Sequence, residues 1–151
     1  MGKELRISAG AIVLQDNRVL MVRYPGHSER GFLVAPGGGA EDDEALPDTA
    51  VREVQEETGL VVSPRRILFV EDLFSKRKRG TKTWFLCIVT GGELARTQAA
   101  ADEGIVEVGW FGRGQLEGEV AFPSALLSFD WQDYLAPSWE ALHIESRNAD
   151  L

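Results

Sequence analysis

Three glutamates, Glu53, Glu56 and Glu57, stand at i, i+3 and i+4 inside Leu46–Thr58, a segment whose pattern predicts a helix. At about 100° per residue that spacing puts all three carboxylates on one face. Neighbouring like charges destabilise an isolated helix, so such a face needs either open water or a cation. If the partner is a cation it is a hard one: oxygen ligands suit Mg²⁺ or Mn²⁺, and no histidine lies nearby to favour zinc. Gly37-Gly38-Gly39 precede the helix and can bring backbone close to a ligand. The helix alone leaves both readings open, a solvated acidic face and a metal site.

Other chemistries fail on spacing. Glu41-Asp42-Asp43-Glu44 lacks the alternating acids and sixth-position glycine of a calcium loop. Gly39 is followed by Ala40 and Glu41 rather than the Lys-Ser/Thr of a P-loop, and three glycines in a row do not fit a dinucleotide fingerprint. Charge is concentrated: residues 38–60 hold eight acids and one base, a net −7 of the −8 carried by all 151 residues. From Arg65 to Lys82 the balance reverses, with seven bases against two acids. Overall acidity argues against general nucleic-acid coating, while the basic stretch could face an anionic ligand.

The elements that must position these residues are legible in outline. Ile7–Leu14 and Val19–Tyr24 read as strands joined through Asp16-Asn17, and Phe32–Ala35 as a short strand ended by Pro36. Pro47 suits the helix's first turn and Gly59 its C-terminal stop. Ile67–Phe74 and Thr83–Thr90 read as paired strands around a charged turn, Ser75–Gly80. Ile105–Phe111 reads as a strand and Phe122–Leu135 as a terminal helix. The tail after Pro137 is unassigned, with Trp139, Leu142 and Ile144 available to dock. Trp84 and Phe85 must point to opposite sheet faces, which puts one of them in the core. Composition and length predict one globular domain over residues 1–151. A single cysteine, Cys87, excludes an internal disulfide. With no membrane-length apolar run and no secretory segment after Met1, a cytoplasmic protein is expected.

Gly38-x5-Glu44-x7-Arg52-Glu53-Val54-Gln55-Glu56-Glu57-Thr58-Gly59-Leu60 resembles the Nudix box, with every defining position filled, and Pro36-Gly37 and Glu41 match its common form. The order of elements around it resembles the family over Leu5–Leu135. The resemblance implies an α/β/α sandwich around a mixed sheet. It implies a pyrophosphohydrolase that cleaves a nucleoside diphosphate linked to another group, using water and Mg²⁺, with Mn²⁺ as a substitute. Carried over by position, the Gly37 carbonyl and Glu53, Glu56 and Glu57 would hold metal or activate water, Arg52 would orient the acids, and Glu44 would brace the loop at Gly38. An acid from a later loop often joins them; Glu103 is the first candidate, with Asp102 and Glu107 as rivals.

For substrate, Arg77 and Arg79 of the turn Lys76-Arg77-Lys78-Arg79, and Arg23 with Arg30 of the early loop, are the cations that could hold phosphate. Tyr24, Phe32, Phe74 or Trp84 could stack on a base, and His27 belongs to an exposed loop. Marks of ADP-ribose and dinucleoside polyphosphate enzymes, a Pro or Tyr about 15 to 18 residues after the box, are replaced by Ser75-Lys76-Arg77-Lys78. The expected partner is a small nucleotide; no membrane and no nucleic acid are expected, and the resemblance admits a homodimer. Two alternatives stand beside the enzyme: a catalytically silent nucleotide sensor, against which the complete set Arg52, Glu53, Glu56 and Glu57 argues, and an RNA-end hydrolase, favoured only by the basic turn.

Overall fold

The computed structural model describes residues 2–26 and 28–147; His27 lies outside the described residues. Among the described residues there are nine strands and four short or medium helices. Strands β1 (Glu4–Gln15), β2 (Arg18–Tyr24), β3 (Phe32–Val34) and β4 (Gly37–Gly39) lead into helix α1 (Leu46–Thr58). A long hairpin follows, β5 (Leu60–Phe74) and β6 (Lys78–Gly92), then α2 (Gln98–Asp102), β7 (Glu107–Gly112), α3 (Arg113–Glu117), β8 (Ala121–Phe122), a 3₁₀ turn at Ser124–Leu127, α4 (Trp131–Leu135) and β9 (Leu142–Arg147).

The strands form one mixed sheet in the order β8-β3-β2-β1-β6-β5-β9, with β4 added to β1 and β7 to β2. The expected α/β architecture is therefore borne out. β1 carries the plan. Its first part runs parallel to β6, from Glu4 opposite Lys78 to Val13 opposite Cys87, and its end turns antiparallel into β2 through Asp16 and Asn17. Both turn residues take positive φ, 50° and 62°, the left-handed conformation that Asp and Asn tolerate best.

The sheet buries both faces. On one, Ala50 and Val54 of α1 pack on Ala9, Ala11, Val13, Phe85 and Cys87. On the other, Ile12, Phe69, Trp84 and Leu86 pack under Trp131 and Tyr134. Trp84 and Phe85 do point to opposite faces, but each face has a core, so both are buried. Helix α1 has Pro47 in its first turn and ends at Gly59, whose φ of 79° fits glycine and whose N–H returns to the Gln55 carbonyl at 3.0 Å. Deleting two buried methyl groups at Val54 would cost about 1.5–2.5 kcal/mol, from about 0.8 per buried methylene plus a cavity.

Two expectations change. Phe122–Leu135 is not one helix: Phe122 ends β8, Pro123 precedes the 3₁₀ turn, and Asp130 starts α4 afresh by accepting from the Gln132 N–H at 3.0 Å. A proline with no N–H to donate and an Asp that caps a new start explain the break. The tail also has structure. Trp139 packs edge-on against Phe69, Phe129 and Tyr134 and donates to the Leu68 carbonyl at 3.2 Å, while β9 extends the sheet parallel to β5. Among the described residues no helix is long and apolar enough to cross a membrane.

Candidate functional site

Gly37–Gly39 form β4, antiparallel to β1 with Gly38 opposite Ala9. The box helix lies against this strand at van der Waals distance. A Cβ on Gly38 would stand 2.5 Å from Glu53 Oε1, and one on Gly37 would stand 2.6 Å from the Ala9 carbonyl. Only glycine lets the backbone come this near to the carboxylate.

Arg52 organises the acids. Its Nε donates to Glu44 Oε2 at 2.8 Å and Nη2 to Glu44 Oε1 at 2.9 Å. Nη1 donates to Glu53 Oε1 at 2.9 Å and Glu56 Oε2 at 3.2 Å, and Nη2 also reaches the Gly39 carbonyl at 3.0 Å. All five guanidinium donors are used, which a lysine could not imitate. Glu44 accepts in addition from Thr49 Oγ1 at 2.7 Å. These bonds, Arg52 first, hold the Glu44 carboxyl down at about 2. Glu44 and Arg52 therefore tie loop to helix and fix where Glu53 points.

Glu57 is different. It is 1% exposed, and neither of its carboxylate oxygens has a hydrogen-bond partner among the described residues. Burial first, and the neighbouring Glu53 second, raise its pKa well above the ordinary carboxylate range. Oxygens of Glu53, Glu57 and Glu103 lie within 4.8 Å of one another. Glu103 is itself exposed, yet burial of its carboxyl and the charges of Glu53 and Glu56 raise its pKa too. An unpartnered buried carboxylate in a cluster of three has the donor set a hard divalent cation requires.

Glu103 reaches the cluster through α2. Thr97 caps that helix by accepting from the Ala100 N–H at 3.0 Å, and its own hydroxyl donates to the Glu56 carbonyl. The Ala95 N–H reaches the Thr58 carbonyl at 2.8 Å. The segment 95–103 is thus laid along the end of α1. Its rivals are elsewhere: Asp102 accepts from Gln98 at 2.8 Å, and Glu107 pairs with Arg23 at 3.3 Å. Tyr24 lines the same acids, and burial together with Glu57 and Glu103 raises its phenol's pKa; its ring stacks on Phe32 at 5.6 Å.

Of the cations singled out for substrate, Arg23, Arg30 and Arg79 are paired with acids outside the cluster. Arg23 is bound by Glu119 at 3.0 Å, by Glu107, and by the Arg30 carbonyl at 2.8 Å, and Arg30 meets Glu119 at 2.7 Å. Arg79 is held by Asp72 at 2.7 Å and lies 4.0 Å over the Phe74 ring. Arg77 sits in the turn before β6, at the end of the hairpin where Lys78 pairs with Glu4. A second cation beside β4, after Arg52, is Lys82, brought there by strand register. Its ammonium lies 4.3 Å over the Trp84 ring, and its pKa is lowered by burial against the opposing pull of Glu57 and Glu71.

The NUDIX domain family model matches residues 4–129. An ADP-ribose pyrophosphatase of Methanocaldococcus jannaschii is 31% identical over 90 residues, 58% of this chain and 53% of that protein. An 8-oxo-dGDP phosphatase of Mus musculus is 32% identical over 120 residues, 77% of this chain and 33% of that protein. The chain thus spans about half or less of the length of these relatives. Among solved structures, an ADP-ribose pyrophosphatase of Streptococcus suis superposes with a TM-score of 0.70 at 25% identity, covering 91% of this chain and 98% of that one.

Proposed function

The chain belongs to the Nudix family, and on that premise we propose that it is a metal-dependent pyrophosphohydrolase acting on a nucleoside diphosphate derivative. One observation carries the reading: the two buried, unpartnered oxygens of Glu57, gathered with Glu53 and Glu103. An ionised carboxylate left so would cost several kcal/mol, so the arrangement makes sense when a cation completes it. Glu53, Glu57 and Glu103 would hold Mg²⁺ or Mn²⁺, with Glu56 and the Gly37 carbonyl as the further positions the family resemblance supplies. Such an ion supplies positive charge against the charge growing on the diphosphate oxygens.

The chain's own residues do the rest. Arg52 locks Glu53 and Glu44, so the acids are set before substrate arrives. A carboxylate of the cluster takes a proton from water as the water oxygen bonds to phosphorus. The opposite P–O bond breaks, its electron pair stays with the departing phosphate oxygen, and solvent supplies the proton that oxygen needs. Thr97 keeps Glu103 in register with the helix.

The test is a product-release screen with Mg²⁺ and Mn²⁺ over a panel including ADP-ribose, 8-oxo-dGDP, 8-oxo-dGTP, a nucleotide sugar and a dinucleoside polyphosphate. Turnover of at least one that stops in excess chelator is expected. Full turnover in chelator, or none on any of them with metal bound, refutes the reading.

A further inference from the structure

β4 is a partition one backbone thick. Alternation along a strand sends successive side-chain directions to opposite faces. The Gly38 direction meets Glu53. The Gly37 direction meets the β1 backbone at Ala9 O and Gly10 Cα, at 2.6 and 2.7 Å from where a Cβ would be, and then Lys82 Cε at 3.0 Å; the Gly39 direction meets Arg6 Nε at 3.8 Å. Strand register explains this pair: Arg6 stands opposite Gly80 and Ser8 opposite Lys82 on the parallel β1–β6 ladder. Glu53 therefore lies on one side of a side-chain-free strip, and Lys82 and Arg6 lie on the other.

Neither cation has an acidic partner within 4.0 Å among the described residues. Lys82 has an obvious one available, since Glu71 is its cross-strand neighbour. That carboxylate is occupied instead: Oε1 accepts from Trp84 Nε1 at 2.9 Å and Oε2 from the Ser146 hydroxyl. Lys82 Cε stands 3.0 Å from the Cβ position of Gly37, the residue next to the Gly38 that meets Glu53. A half-buried ammonium kept free of its neighbouring carboxylate and set beside the acid cluster is placed to receive an anion.

We propose that Lys82 and Arg6 are the phosphate-gripping pair of this site, binding oxygens of the substrate's diphosphate from the face of β4 opposite Glu53. The proposal rests on the hydrolase reading above and assigns the residues that offset the −7 of the box segment for an anionic substrate. Lysine offers a point charge with three donors and arginine a planar fork, a combination suited to the several oxygens of a diphosphate. The basic turn is worse placed. Lys78 is four residues along β6 from Lys82, about 13 Å at 3.3 Å per residue, and Arg79 is committed to Asp72.

The full chain and its K82M, K82R and R6Q variants are titrated with methylenediphosphonate, a diphosphate that cannot be hydrolysed, in the presence of Mg²⁺ at graded salt. Mg²⁺ affinity alone is measured in parallel. K82M is expected to weaken diphosphonate binding at least tenfold and flatten its salt dependence, with Mg²⁺ affinity within about threefold of the parent. K82R should stay within about threefold and R6Q should lose several-fold. Arg6 is exposed, so R6Q reports even if K82M fails to fold. Parent-like diphosphonate binding in K82M and R6Q, with Mg²⁺ binding intact, overturns the pair but leaves the hydrolase reading standing. A fall in binding for the R77A/R79A double variant and none for K82M also overturns it, returning the grip to the turn. Loss of Mg²⁺ affinity in the parent chain itself brings down both readings.

Discussion

Thr97 donates its hydroxyl to the carbonyl of Glu56, so the segment that delivers Glu103 is fastened to the last turn of the helix that carries Glu53 and Glu57. The same hydroxyl accepts from Ala100 and starts α2. Replacing it with valine keeps the shape and removes both bonds. Thr97→Val should cost about 1 kcal/mol of stability, the usual worth of an N-cap. It should also lower kcat about three- to tenfold by loosening Glu103, with KM little changed. Thermal melts and steady-state kinetics on the best substrate check it; unchanged kcat would detach Glu103 from catalysis.

Glu53→Gln and Glu57→Gln should each reduce kcat by about 10²-fold or more in a folded protein, because each removes a charge the site needs and keeps the side chain's size. Their effects on the metal-free protein should differ. Glu57 is buried and unpartnered, so its amide should raise the melting temperature, whereas Glu53→Gln breaks a bond to Arg52. Melts in chelator, beside kinetics in Mg²⁺, separate these outcomes.

Stability of the metal-free protein should depend on pH in a direction set by Glu57. Its pKa in the fold is raised above the ordinary 4.5, so the folded state holds a proton that the unfolded chain has lost. That contribution is complete below 4.5 and disappears as pH climbs from there through the raised value. Glu44 has the opposite sign: its lowered pKa contributes above 4.5 and is lost as pH falls toward 2. Melting temperatures in chelator should therefore decline from about pH 5 to pH 8, and stabilisation by Mg²⁺ should grow over that range. Glu57→Gln should flatten the decline; an equally steep profile in that variant refutes the assignment.

Gly38→Ala places a methyl 2.5 Å from Glu53 Oε1, so strand or carboxylate must move. A loss of Mg²⁺ affinity of tenfold or more and a destabilisation of about 1–3 kcal/mol are expected, measured by metal titration and denaturant melts. Retained affinity would mean the glycine serves the turn and not the approach.

What the sequence disclosed follows from which interactions are local. Glu53, Glu56, Glu57 and Arg52 lie within two helical turns, so their shared face could be read from spacing. Glu103 could be named but not fixed, because the Thr97 tether joins residues 41 apart in the chain. Arg6 and Lys82 were invisible as a pair: parallel register between β1 and β6 brings them together, and periodicity within either strand holds no trace of the offset. Apolar spacing at Phe122, Leu126 and Phe129 suggested one helix, but Pro123 and Asp130 impose two short elements. Arg79 looked like a free cation only while Asp72, seven residues earlier and across the hairpin, was out of view.

β1 belongs to three ladders, with β4 and β6 along its first part and with β2 at its end. Amide hydrogens in its middle should be the slowest in the molecule to exchange with solvent, and opening should proceed outward from either flank. Glu103 straddles that divide. Thr97 fastens its segment to the box helix, while the Val106 N–H fastens the following residues to the Arg23 carbonyl on β2 at 2.8 Å. A fluctuation that parts the β2 flank from the box would carry this acid off while leaving Glu53 and Glu57 together, so the cluster would lose its third member well before the chain unfolds.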